Sequence, residues 1–327
     1  MMIDQGKPRV IVSGSLAYDR IMDFPGRFRD HILPDKVHML NVSFAVPGLT
    51  EHYGGTAGNI AYTFALLGGK PAVVAAVGGD FVRYRQWLRR HGVNLAGVRV
   101  VARERTAAAH IITDSDDNQI TGFHLGAMGQ RGAFLSPSRL RQAAAAIVAP
   151  GNIGDMLALP RRYRQAGVPY WFDPGQQLTS LTGARVRQAL SGAQGLFVND
   201  YELALTLKKT GWSMRQALAR GVTVVTTLGP KGSVVRHGAA VVRAPAARPR
   251  AVVDPTGAGD AYRAGFLRAW LLQWPISVAA RFAGVVAAYT VERSGTQTHR
   301  FSCADLRRRY RKNFGRELPR WDGVVRR

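Results

Sequence analysis

The stretch Val252-Val253-Asp254-Pro255-Thr256-Gly257-Ala258-Gly259-Asp260-Ala261-Tyr262-Arg263-Ala264-Gly265-Phe266-Leu267 opens on a β-branched run, breaks it at Pro255, and passes through small residues into an amphipathic helix from about Asp260. Glycines just before a helix leave several backbone N–H groups unpaired at the positive end of the helix dipole. Such a turn is an anion site. It is not a dinucleotide fingerprint, because the sixth position counted from Gly257 is Tyr262 where a glycine is needed, and no Gly-x-x-x-x-Gly-Lys-[Ser/Thr] loop occurs in the chain. A carboxylate such as Asp260 at a helix start is ordinarily a cap, worth roughly 0.5–2 kcal/mol. Inside an anion-binding turn, however, an acid repels a phosphate unless it faces a second group, such as a hydroxyl whose proton it accepts. A base beside an oxyanion cradle is the minimum apparatus for moving a phosphoryl group onto an alcohol.

Outward from this turn, strands and helices alternate. Arg9 to Gly14 reads as a buried central strand. Ala72 to Val77 precedes a helix near Phe81 to His91, and Val168 to Asp173 follows one near Asp155 to Gln165. Leu196 to Asn199 precedes a helix beginning at Asp200, and Val222 to Leu228 follows one near Met214 to Ala219. This rhythm predicts a parallel sheet covered by helices on both faces, with ligands beyond the carboxyl ends of its strands. Two regions break the rhythm. Lys36 to Phe44 alternates like a half-exposed strand, and Ala108 to Thr113 with Gln119 to Phe123 predicts a hairpin around Asp114 to Asn118. Neither region alternates strand with helix as the rest of the chain does, which makes them candidates for a small antiparallel appendage inserted into the main body.

With 327 residues, 46% of them hydrophobic and 20% charged, the chain has material for a full core and too much for disorder. Cys303 is the only cysteine and cannot form an intramolecular disulfide, and Met1 to Pro8 lacks the apolar core of a secretory signal. The expected compartment is the cytoplasm. The apolar runs Ala72 to Val77 and Ala283 to Val291 are core-length, not membrane-spanning. A net charge of +24 draws polyanions of every kind, and the one dense basic run, Arg307 to Lys312, falls in a helical C-terminal segment. No helix-turn-helix, zinc spacing or aromatic-interleaved basic motif accompanies it, so a specific nucleic-acid partner is not expected.

A second glycine cluster, Gly54-Gly55-Thr56-Ala57-Gly58-Asn59, precedes the apolar stretch Ile60 to Leu67. By itself it is a tight turn and helix start, or a place where backbone approaches a polar ligand closely and Asn59 supplies a donor and an acceptor. Paired with Asp254 to Asp260, it resembles the two signatures of the PfkB (ribokinase-like) family of carbohydrate and nucleoside kinases. Between them, Asn199-Asp200-Tyr201-Glu202 is similar to that family's Asn-x-x-Glu element, and Thr227-Leu228-Gly229-Pro230-Lys231-Gly232-Ser233 to its nucleotide-side turn. The four elements stand in the family's order over nearly the whole chain.

The resemblance implies an α/β, ribokinase-like kinase: one domain over residues 1–327, with a mostly parallel central sheet flanked by helices and a small antiparallel β lid built from insertions near 15–50 and 98–127. Asp260 would be the general base, and the backbone of Gly257, Ala258 and Gly259 the anion hole. Asn199 and Glu202 would organise Mg²⁺ and the phosphates of ATP, Glu202 through water, which suits a metal that keeps its hydration. Thr227, Gly229 and Gly232 would border the ATP. Asp254 and Thr256 match part of a monovalent cation (K⁺) site. Asp19, Gly54, Gly55 and Asn59 would hold the acceptor, since a carboxylate accepts from two vicinal hydroxyls at once. Ala17 and Ser15 stand where ribokinases and adenosine kinases, respectively, often carry an asparagine.

The lid stretch His31 to Phe44 and Gly295-Thr296-Gln297-Thr298-His299 look more like nucleoside kinases of the adenosine-kinase group than like ribokinase. The expected acceptor is therefore a purine ribonucleoside, with a free sugar of the ribokinase or fructokinase type as the alternative. Leu33, Met39, Val42 and Phe44 are expected to cover the base, with His124 and His299 as further candidates to touch it. The protein is expected to act as a monomer or homodimer, away from membranes.

Overall fold

The computed structural model describes residues 9–32, 38–39, 41–116, 118–319 and 321. Arg9–Ser13 (β1) lies inside a nine-stranded sheet because its apolar side chains are covered on both faces. It pairs in parallel with Lys70–Gly78 (β4) on one side and Ala145–Val148 (β8) on the other. Asn94–Val101 (β5) closes the edge beside β4. On the other flank, Tyr170–Phe172 (β9), Gly195–Asn199 (β10) and Thr223–Thr227 (β11) continue the parallel order. Ser233–His237 (β12) and Ala240–Ala244 (β13) finish the sheet as an antiparallel hairpin.

Helices cover both faces, as the alternation requires. Thr56–Leu66 (α1), Ala258–Leu271 (α8) and Ile276–Thr290 (α9) share one core with β1 and β4. Ile153–Gln165 (α4) and Gly183–Leu190 (α5) belong to the core of the other face. The ring centroids of Trp171, Phe197 and Phe266 lie 4.9–5.6 Å apart, welding α8 to β9 and β10. The run Ala283 to Val291 sits largely in α9, a core helix. Among the described residues no helix is long and apolar enough to cross a membrane. The basic C-terminal run lies in Cys303–Phe314 (α10), where Arg309 pairs with Glu292, Arg308 with Asp305 and Arg311 with Glu317.

The appendage is a second sheet of four strands in the order Thr50–Gly54 (β3), Ala17–Asp23 (β2), Ala107–Thr113 (β6) and Gln119–His124 (β7). Its flanks, β3–β2 and β6–β7, are antiparallel as expected, with β2 and β6 parallel at the centre. The hairpin closes on Asp114, whose carboxylate accepts from the backbone N–H groups of Phe28, Asp116 and Asn118. Of the expected strand at Lys36 to Phe44, the described residues form none: Asn41 to Phe44 have no ladder partner, and Lys36, Val37 and Leu40 lie outside the described residues. The alternation that suggested it has another cause. The Phe44 ring packs 4.8 Å from Phe24 and 5.1 Å from Phe28, and the lid strand comes later, at β3. Val252 and Val253 likewise form no strand; both side chains are exposed.

Candidate active site

The carboxyl ends of β1, β10 and β11 and the start of α8 converge on one side of the large sheet. Gly257 caps α8 with φ at 78°, and a Cβ there would sit 2.9 Å from Thr296 Cβ, so both conformation and space demand glycine. Ala258 N–H donates to Pro255 O at 3.2 Å, whereas the N–H groups of Gly257 and Gly259 meet no acceptor among the described residues. Two of the three expected anion-hole donors are thus free at the positive end of a 14-residue helix.

Asp260 stands in the first turn of α8, partly buried. Its Oδ2 accepts from Asn59 Nδ2 at 2.9 Å, bringing the two glycine signatures together across 201 residues. Burial drives its pKa up to about 7; Arg263 and the Asn59 hydrogen bond oppose the rise, and Asp173 and Asp19 add to it. Arg263 is itself buried and pairs side-on with Asp173, Nε lying 2.5 Å from Oδ2 and Nη2 donating to Oδ1 at 2.9 Å. Sequence reasoning did not find this pair. The signal was the Arg at a position of α8 otherwise occupied by small and apolar residues, with an Asp at the carboxyl end of a strand opposite it.

Asp19 projects from β2, opposite His52 of β3 and Ala109 of β6. Burial and the nearby Asp254 lift its pKa to about 6. A Cβ on Gly54 would lie 2.2 Å from Asp19 Oδ2, so the absence of a side chain on β3 is what lets this carboxylate stand where it does. Gly55 then caps α1, and Thr56 N–H donates to Ser15 Oγ at 3.0 Å, tying the cluster to the end of β1. Asp254 accepts from Thr256 N–H at 2.9 Å and from Gly295 N–H at 3.0 Å, which braces the anion turn against the loop after α9.

Asn199 and Glu202 form a capping box on Asp200–Thr210 (α6): Asn199 Oδ1 accepts from Glu202 N–H at 2.7 Å, and Glu202 Oε2 from Asn199 N–H at 2.9 Å. Glu202 has a raised pKa through burial, with Asp173 adding to it. Its second oxygen, Oε1, has no hydrogen-bond partner among the described residues, which fits a contact to a hydrated metal. Thr227 ends β11, and Leu228 N–H bonds Gly232 O at 2.8 Å to close the turn holding Gly229.

The base-contact candidates fare differently. His299 is fully buried, its Nε2 3.1 Å from Thr63 Oγ1 and its pKa driven by burial down to about 3, so it belongs to the core. His124 lies on the exposed β7. Met39 points to solvent, Phe44 is used in the Phe24–Phe28 cluster, and Leu33 lies outside the described residues. A cavity of about 560 Å³ opens instead at the amino ends of β1 and β4, far from this chemistry, lined by Arg9, Lys70, His91 and Arg139. Three helices end there, α1, Val82–Arg90 (α2) and Pro137–Arg141 (α3).

Comparison with known proteins supports the same grouping. The pfkB family of carbohydrate kinases matches residues 15–301. A nucleoside kinase of Methanothermobacter thermautotrophicus is 34% identical over 284 residues, 85% of this chain and 91% of that protein. The Burkholderia thailandensis nucleoside kinase in complex with inosine is 38% identical, with a TM-score of 0.82 covering 94% of this chain and 99% of that one. Its ADP-inosine complex superposes with a TM-score of 0.80 over 97% and 99%. With the match running from the end of β1 to the loop beyond α9, the chain belongs to the pfkB family of carbohydrate kinases.

Proposed function

We propose that this protein is an ATP-dependent kinase that transfers the γ-phosphoryl group to the 5′-hydroxyl of a ribonucleoside, with adenosine, inosine and other purine nucleosides preferred. The observation that carries the reading is the partly buried Asp260 carboxylate, held by Asn59 in the same helical turn as the unpaired N–H groups of Gly257 and Gly259. Asp260 accepts the proton of the 5′-hydroxyl as the new O–P bond forms, and the bond to the bridging β,γ-oxygen breaks with its electron pair leaving on ADP. The N–H groups of Gly257 and Gly259 take up charge on the transferred group. Asp19 accepts from the 2′- and 3′-hydroxyls and sets the distance between the 5′-oxygen and Asp260. The inosine-bound relative at 38% identity favours a nucleoside over a bare sugar.

Asn199 and Glu202 would hold Mg²⁺ through water, and the ion supplies neutralisation of phosphate charge when bound. Thr227, Gly229 and Gly232 would border the adenine nucleotide. The Asp254 carboxylate is engaged by two backbone N–H groups, and nothing in the geometry of Asp254 and Thr256 supports a K⁺ beyond their nearness to the anion turn. The chain is read as one kinase domain whose small sheet is a lid, acting in the cytoplasm as a monomer or homodimer without a nucleic-acid or membrane partner. The test is kcat/KM for adenosine, inosine, cytidine, ribose and fructose under one condition, because specificity resides in that ratio. Faster processing of ribose or fructose than of every nucleoside would leave a sugar kinase with the same machinery.

A further inference from the structure

A chain of hydrogen bonds, buried at its centre and part-buried at its ends, runs from α2 to Asp260, and the tryptophan at its start can only donate. Trp87 Nε1–H donates to Gln297 Oε1 at 3.2 Å, and an indole nitrogen has no acceptor role. That contact fixes which end of the Gln297 amide faces which way. Its Nε2 then donates to Asn59 Oδ1 at 3.1 Å and to Tyr84 Oη at 2.5 Å, while Tyr84 passes its own proton to Gly54 O at 2.7 Å. With Oδ1 so occupied, Asn59 presents Nδ2 to Asp260 Oδ2 at 2.9 Å. Thr296 Oγ1 also lies 2.7 Å from Asn59 Oδ1, but it is 2.9 Å from Tyr53 O as well and has a single proton for the two. Only Gln297 therefore serves Asn59 unconditionally. Gln297 and Asn59 are 2% and 5% exposed, so water offers no substitute partners.

We propose that Gln297 is a positioning residue: held in one orientation by Trp87, it fixes the polarity of the Asn59 amide so that an N–H, and not a carbonyl, meets the Asp260 carboxylate. An inverted Asn59 would set its oxygen against Asp260 and favour the protonated acid, which cannot take a proton from an acceptor hydroxyl. The consequence for turnover rests on the reading of Asp260 as the base, and the experiment separates the two.

The variants are Gln297→Met, which keeps the side-chain length without its hydrogen bonds, and Trp87→Phe, which frees the Gln297 amide to invert. In each full-length variant, the Asp260 carboxyl is titrated by ¹³C NMR, assigned through Asp260→Asn, and kcat/KM for inosine is followed from pH 5.5 to 9. The expected result is an upward move of the Asp260 midpoint in both variants. It is accompanied by a loss of kcat/KM on the order of tenfold at pH 6 that recovers by pH 9, as for a lost hydrogen bond to a charged group. A residue that merely packs would lower turnover equally at every pH and leave the midpoint where it is. An unmoved midpoint in folded Gln297→Met overturns the proposal, whatever the turnover. If Gln297→Met does not fold, the midpoint in Trp87→Phe decides in the same way. A midpoint that moves while the pH profile stays fixed upholds the positioning role and overturns Asp260 as the base.

Discussion

Gly54→Ala places one methyl group where the structure has no room for it. The new Cβ would lie 2.2 Å from Asp19 Oδ2 and 2.8 Å from its Cγ, whereas ordinary contact begins at 3.4 Å. Rotating the carboxylate cannot clear it, because both Oδ2 and Cγ are too close, so Asp19 must retreat by more than 1 Å or β3 must slip away from β2. The second course is blocked in part by Tyr84, which holds Gly54 O at 2.7 Å. Asp19 is read as the group that positions the acceptor, and a displacement of about 1 Å in such a group costs on the order of 10²-fold in rate. Steady-state kinetics should show kcat/KM for inosine falling by that amount with KM for ATP little changed, since the nucleotide elements lie at β10 and β11. A folded Gly54→Ala enzyme with near-parental kcat/KM would refute the assignment of Asp19 to the acceptor.

Asp260→Asn should fold and bind ATP, since it keeps the helix start, but lose about 10²–10⁴-fold in kcat, as removal of a general base does; near-parental turnover would refute the role. The pH dependence follows from burial of the two acids: kcat/KM should fall as pH drops through about 7, where Asp260 protonates, and more steeply below about 6, where Asp19 follows. A profile flat from pH 8 to pH 5.5 would contradict it. Asp173→Ala leaves Arg263 buried without its partner and should destabilise the fold by about 3–5 kcal/mol, read by urea unfolding, with a loss under 1 kcal/mol as the contrary result. Amide hydrogen exchange in β6 and β7 should slow when nucleoside and a non-hydrolysable ATP analogue are added together, because a closing lid excludes water; unchanged protection would remove the lid from the account.

The parallel sheet and its helices were legible because buried β-branched runs and helical spacing are local signals, and Arg9–Ser13, Lys70–Gly78 and Gly195–Asn199 all fall where those signals place them. The hairpin at Asp114 was legible for a similar reason, since a cluster of Asp and Asn between two alternating runs has few other uses. At Lys36 to Phe44 alternation misled: Phe24, Phe28 and His31 gather around Phe44 through contacts between side chains, and a period of two cannot distinguish that from a sheet face. The site shows the same division. Its glycine turns were visible because close backbone approach restricts residue type. Tyr84, Trp87, Arg263 and Asp173 were not, because their roles exist only once α2, β9 and α8 are brought together. His299, a plausible loop residue by sequence, turned out to be sealed in the core against Tyr62.

The measurement that bears most directly on the central claim is the identity of the product. Purified protein incubated with ATP, Mg²⁺ and inosine, and read by ³¹P NMR, should yield ADP and a nucleoside 5′-monophosphate in equal amounts, with initial product formation by Asp260→Asn slower by about 10²-fold or more under the same conditions. Failure to form a 5′-monophosphate from any purine nucleoside, while ribose or fructose is phosphorylated, would contradict the account.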